Sequence, residues 1–443
     1  MKKLLSLSAL MVASAYASAA DLTTIYEQAA SNDAEIAAAR ATREANAYNV
    51  TIARGALLPQ LQASYSHTVI DAEVESLDFT TQKTSTSNRD YELGELQIQA
   101  SQALFNLNSW YTYQAAKTAD KAETLNLQLS EQQLLLRTSA AYFDVLRAAD
   151  NLETAQAEEK AVKRSLEQTR QRYDVGLIAI TEVHEAQATY DLTYVNLLSQ
   201  QAALDISFEA LEVLTGQQHK NVNGLKDSVS MQMPTPTNVA DWVTTGLEKF
   251  PGIQIASLQK TAVGQQRDAA RYNRFVPTAK LFANYTDGDQ SPFTGNDPTQ
   301  STVISYGVKV SIPVFAGGSL YGQSKQAAAN LAATEYQLES QRRQVKQKIR
   351  SLYRQLQTTV QNIDARKQAI TSAQSALEAT ETGYEVGTRN IVEVLDAQRQ
   401  LFGARRDYAN ARYDYILTLL NLKFYAGTLN EGDIQALNAW LEA

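Results

Sequence analysis

Two stretches of this chain contain neither glycine nor proline, from Glu95 to Val175 and from Gln323 to Thr382. After Phe105 and Phe315 their composition leaves little choice but very long α-helices. The second carries an apolar column at seven-residue spacing, Ile349, Leu356, Ile363, Ile370, Leu377 and Tyr384; the first echoes it with Val145, Leu152, Leu166 and Tyr173. A sustained heptad means packing against partner helices in coiled-coil geometry. About 65 residues from Phe105 to Tyr173, at ~1.5 Å each, predict a rod on the order of 100 Å.

Each run ends in Tyr-acid-Val-Gly and then restarts. The first ending is Tyr173-Asp174-Val175-Gly176-Leu177, followed by Ile178, Thr181, Glu182 and Glu185. The second is Gly383-Tyr384-Glu385-Val386-Gly387-Thr388-Arg389, followed by Glu393 and Asp396. The glycine supplies the backbone freedom of a reversal, so each reads as the tip of a helical hairpin. Arg389 stands where the first copy has Ile178, and that asymmetry points to the second tip as the working one.

The duplication extends over the chain. Pro59 matches Pro277, Phe105 matches Phe315, and Gly216 matches Gly427. The repeats are 21–230 and 238–443, joined by a Pro/Thr linker at 231–237. Each is read as helix, two strands, very long helix, tip and return helix. The strands are expected at about 59–70, 91–104, 276–287 and 302–314, with polar loops at 71–90 and 287–302. Leu61, Ala63 and Tyr65, and later Ile304, Tyr306, Val308, Val310 and Ile312, alternate with polar residues. Period two with one apolar face fits a periplasmic sheet on a core, or barrel strands with lipid on one side and water on the other. Alternation alone does not choose. Four strands cannot close a barrel, for which about eight is the practical minimum, so membrane strands would require several copies.

Lys2 and Lys3, the apolar run from Leu4 and the small residues Ala17-Ser18-Ala19-Ala20 predict an export signal over 1–20. No stretch approaches the roughly 18 apolar residues of a spanning helix, so any membrane insertion must use strands. The absence of cysteine excludes disulfides and thiolate chemistry. A net charge of −8 argues against nucleic acid. Enzyme readings fare badly: His67, His184 and His219 are scattered, and Ala188 stands where a zinc-protease motif after His184-Glu185 requires histidine. Thr286–Pro292 resembles the start of a calcium loop but lacks its closing glutamate and is read as a surface loop. No cofactor or metal is expected.

The duplicated plan, both tips, Ile391-Val392-Glu393-Val394-Leu395-Asp396-Ala397, Ala409-Asn410-Ala411-Arg412-Tyr413 and Gly427-Thr428-Leu429-Asn430-Glu431 together resemble the TolC outer-membrane efflux protein family. The resemblance covers essentially the whole mature chain, and the lack of cysteine resembles the unlipidated branch. It implies a mixed α and β membrane protein of a Gram-negative outer membrane. Three chains, each giving four strands, would form a 12-stranded β-barrel, continued by a long periplasmic α-helical coiled-coil barrel with a small mixed equatorial region. The implied function is a passive exit duct for multidrug efflux and type I secretion. Its implied partners are two further copies, outer-membrane lipid, a periplasmic adaptor at the tips, and an inner-membrane efflux pump or ABC exporter.

Residue by residue, the resemblance implies a gate network of Tyr384, Arg389, Thr181 and Glu182, with Arg412 as another tie at the entrance. It implies a pore constriction at Glu393 and Asp396. The adaptor would meet Tyr173, Asp174, Val175, Gly176 and Leu177, with Tyr384, Glu385, Val386, Gly387 and Thr388. Glutamates stand at 393 and 182 where the family pattern has aspartate, which keeps the charge and adds one methylene of reach. Glu393 and Asp396 are three apart and share a helix face; in a trimer they would form acidic rings that favour cations. The bland alternative is a solvated acidic face. For the whole chain the rival is a coiled-coil periplasmic or surface scaffold that conducts nothing.

Overall fold

The computed structural model describes residues 20–78, 80, 82–290 and 299–442. Nearly all of the expected export signal, and 291–298 of the second expected loop, lie outside them. The first repeat contains α1 (Leu22–Asn32), α2 (Ala34–Gly55), β1 (Gln60–Asp78), β2 (Lys83–Phe105), α3 (Leu107–Asp174) and α4 (Ile180–Thr215). The second contains α5 (Val239–Lys249), α6 (Pro251–Phe275), β3 (Thr278–Gln290), β4 (Thr299–Ser311), α7 (Ser319–Glu385), α8 (Ile391–Tyr425) and α9 (Glu431–Asn438).

The single opening helix expected of the first repeat is broken. The Asp33 backbone N–H closes α1 on the Ala29 carbonyl at 2.8 Å, and its carboxylate accepts from Ile36 N at 2.8 Å to cap α2. The second repeat makes its break with Pro251 as the first residue of α6, a position where a missing N–H costs nothing.

The chain divides into two compact units, one of Met1–Ala41, Asn126–Gln254 and Gln341–Ala443, the other of Thr42–Leu125 and Ile255–Ser340. The second unit holds one antiparallel four-stranded sheet in the order β1-β2-β3-β4, so β1 and β4 are free edges. Ala63, Ile98, Tyr285 and Ile304 form one row across it, and Gln62, Gln99, Asn284 and Ser305 the next. Period two thus runs through all four strands, with one apolar and one polar face. Tyr65, Tyr306, Val308 and Val310 stand exposed on the apolar side.

The expected loop at 71–90 is mostly strand: pairing continues from Asp71↔Asp90 to Asp78↔Lys83. β2 leaves β3 at Glu95↔Gly288, so beyond that point β1 and β2 run as a two-stranded ribbon. Ladder hydrogen bonds do not depend on side-chain polarity, and the apolar signal ended before the ladder did. β3 and β4 likewise run on to Gln290 and Thr299, while β4 stops at Ser311, two residues before Pro313.

In the first unit α3, α4, α7 and α8 share a core of Val162, Leu166, Ala186, Leu377, Tyr384, Ile391, Val394, Leu395 and Leu401. The heptad column of α7 supplies its Leu377 and Tyr384.

Candidate functional site: the helical tips

Both tips use one turn. Leu177 N donates to the Arg172 carbonyl (2.9 Å) and Gly176 N to that of Tyr173 (2.8 Å). At the second tip Thr388 N donates to the Gly383 carbonyl (2.8 Å) and Gly387 N to that of Tyr384 (3.2 Å). Gly176 and Gly387 adopt φ of +77° and +80°, which closes a Schellman-type ending that β-carbon-bearing residues adopt only with strain.

The surroundings differ. Asn390 caps α8 by accepting from Glu393 N at 3.0 Å, whereas Ala179 starts α4 with no side-chain cap. Arg389 pairs with Glu393 across the first turn of α8. A β-carbon on Gly383 would lie 2.7 Å from Arg389 Cγ, so glycine there makes room for that arginine. The Arg389 hydrogen bond holds the Glu393 carboxyl below its ordinary range. Asp396 accepts from Arg399 at 3.0 Å. Each expected pore carboxylate therefore stands beside an arginine near in sequence, Glu393 beside Arg389 of the tip turn and Asp396 beside Arg399 of α8.

Tyr384 is buried, and its hydroxyl has no hydrogen-bond partner. The Arg172 guanidinium lies 4.5 Å from its ring centre and donates to the carbonyls of Tyr384 (3.0 Å) and Glu385 (3.1 Å). A cavity of about 430 Å³ opens beside it, lined by Gln168, Gln171, Arg172, Val175, Tyr384 and Glu385.

Within one chain the expected pair of Arg389 with Glu182 is not formed. Arg389, in the turn just ahead of the α8 cap, takes Glu393 of the first turn of α8 instead. Thr181 is exposed and Glu182 half-buried on the first turn of α4. Arg412, expected as a tie at the entrance, stands about 35 Å further along α8 than Arg389 at ~1.5 Å per residue. There it is buried, pairs with Asp227 at 3.0 Å and donates to the Lys226 carbonyl. Its neighbour Tyr413 donates to Asp150 at 2.7 Å, and burial pushes the Asp150 carboxyl up. Arg412 thus fastens the segment ahead of the linker. Of the expected adaptor-contact residues, Tyr173, Asp174, Val175, Gly176, Leu177, Glu385, Val386, Gly387 and Thr388 are exposed, and Tyr384 is not.

Sequence reasoning passed over Arg172, Asn390 and Arg399. Asn390 carried a signal, an N-cap residue three before a glutamate; Arg172 carried none, since its target lies on another helix. Among the described residues no helix is long and apolar enough to cross a membrane.

Two pairs of strands that share one apolar face, each set between helices, and helices that end in capped hairpins define a class: outer-membrane channels with barrel strands and a helical part. The sequence matches the outer membrane efflux protein family over residues 25–217 and 242–428, and the chain belongs to that family. It is 35% identical to the outer membrane protein TolC of Vibrio cholerae, covering 100% of this chain and 99% of that one. It is 27% identical to the proteases secretion protein PrtF of Dickeya chrysanthemi, over 96% and 92% of the two chains. The CmeC outer membrane channel of Campylobacter jejuni shares the fold with a TM-score of 0.77 at 16% identity, over 95% and 90% of the chains. The protein is an outer-membrane protein of the efflux-channel family.

Proposed function

We propose that three copies of this chain form a passive exit duct for multidrug efflux and type I secretion. A periplasmic adaptor and an inner-membrane pump or ABC exporter open it at the helical tips. The observation that carries this reading is the sheet: one apolar face and two free edges in a single chain. The free edges call for strands from further copies and the apolar face calls for lipid, which together make a closed barrel. The match to the outer membrane efflux protein family supports the efflux part, and similarity to PrtF supports secretion.

At the tips, Glu393 and Asp396 of three copies make two carboxylate rings around one axis. Their arginine partners are exposed, and such pairs hold weakly, so a multivalent cation entering the ring can displace them. The unpartnered Tyr384 hydroxyl, and Arg389 on leaving Glu393, are the groups that bond to Thr181 and Glu182, within or between copies. Such bonds latch the tips without locking them.

The test is single-channel conductance of the purified protein in a planar bilayer, with a trivalent cation added on the tip side. Wild type is compared with Glu393→Ala/Asp396→Ala and with the matched first-repeat variant Glu182→Ala/Glu185→Ala. Block lost only in the first variant supports the constriction; equal block in all three places it elsewhere. A well-folded protein without channels, extractable in aqueous buffer, would establish the scaffold instead.

A further inference from the structure

The polar face of the sheet carries a charge arrangement that the tips do not use. Lys280 of β3 and Lys309 of β4 stand directly opposite each other in the register. They alternate with Leu281, Val308 and Val310 of the apolar face, so both lie on the polar one. Both are exposed. Directly opposite residues bring their β-carbons to about 5 Å, and like charges in that position destabilise a sheet.

Nothing beside them offsets the repulsion. Ala103 is the β2 neighbour of Lys280. The flanking same-face rows are Thr278–Ser311 on one side and Ser101–Phe282–Gly307 on the other, all uncharged. Among the described residues neither lysine has an ion-pair partner. The pair sits at the start of β3 and the end of β4, at the ends of those strands that lead to α6 and α7 in the chain. A ligand of opposite charge would offset that repulsion.

We propose that Lys280 and Lys309 form a cationic collar on the water-facing side of the barrel wall, which binds multivalent phosphate-bearing anions and sets the passage's preference for anions at that level. The collar rests on the three-copy barrel proposed above: closure would place three such pairs around one lumen, where rings of like charge select for counter-charge. Anionic cargo is the substrate class it would favour.

The experiment uses the full-length protein in planar bilayers, with inorganic tripolyphosphate added on the strand side and reversal potentials measured in a salt gradient. In wild type tripolyphosphate lowers the current. In Lys280→Gln/Lys309→Gln the block weakens by roughly fivefold or more, and the reversal potential moves toward cation preference. Lys280→Arg/Lys309→Arg keeps the block. The glutamine variant keeps the oligomer's heat resistance, since the change removes a repulsion. Open channels with the same block and reversal potential in the glutamine variant overturn the collar alone. Loss of block in the arginine variant overturns it as well, and a wild type without channels overturns the duct reading together with the collar.

Discussion

At the first tip Tyr173, Val175, Leu177 and Ile180 stand in solvent, and α4 begins without a side-chain cap. At the second, Tyr384 and Ile391 are buried, Asn390 caps α8, and Arg389, Glu393, Asp396 and Arg399 line its exposed side. The turn itself is the same. The two copies share the backbone device that reverses the chain, and the second carries the arginine–carboxylate pairs and the buried tip residues. The first contributes Arg172, whose guanidinium covers the ring of Tyr384. One tip is therefore built to be held and the other to hold it.

That contrast can be broken in several ways. The largest effect is expected from Tyr384→Phe with Arg389→Ser, which removes both latch groups and raises single-channel conductance several-fold. The control, Tyr173→Phe with Ile178→Ser at the first tip, leaves conductance near wild type. Equal increases in both would erase the functional asymmetry. A middle-sized effect comes from the caps. Asn390→Ala lowers the stability of the second tip by ~1 kcal/mol, while Ala179→Asn raises that of the first by a comparable amount. Hydrogen exchange at the two hairpins reads both.

The smallest effect is on pH dependence. Arg389 holds the Glu393 carboxyl low, so Glu393 keeps its charge to a lower pH than an unpaired glutamate does. Arg389→Gln returns that carboxyl toward its usual value. Trivalent-cation block then fades at a higher pH than in wild type, as titration of the blocked current shows. A shift in the opposite direction would mean that Arg389 does not face Glu393.

The long helices and both reversals were legible because a glycine-free heptad and a glycine at its end have few alternative folds. The faces of the strands were legible for the same kind of reason, since Leu61 through Tyr65 and Ile304 through Ile312 alternate without a break. Their extent was not. Residues 71–78 and 83–90 are mostly polar, without an unbroken apolar alternation, and the ladder hydrogen bonds run on regardless. Asn390 was legible through its spacing to Glu393 and was passed over. The position of Arg412 was not legible, because a residue on a long helix reveals its height only once the helix start is fixed. Arg172 could not be found from spacing, because its partner lies far away in the chain.

The free edges of β1 and β4 also have a consequence for the order of folding. The helical core draws on residues of one chain and can form at a rate independent of concentration. In the barrel proposed above the sheet is not finished that way, because its edge bonds are completed by other chains and its apolar face by lipid. Completion of the strands is therefore a higher-order reaction in chain concentration. Until it occurs, the least finished part of the molecule is also the part most prone to pair with the wrong neighbour.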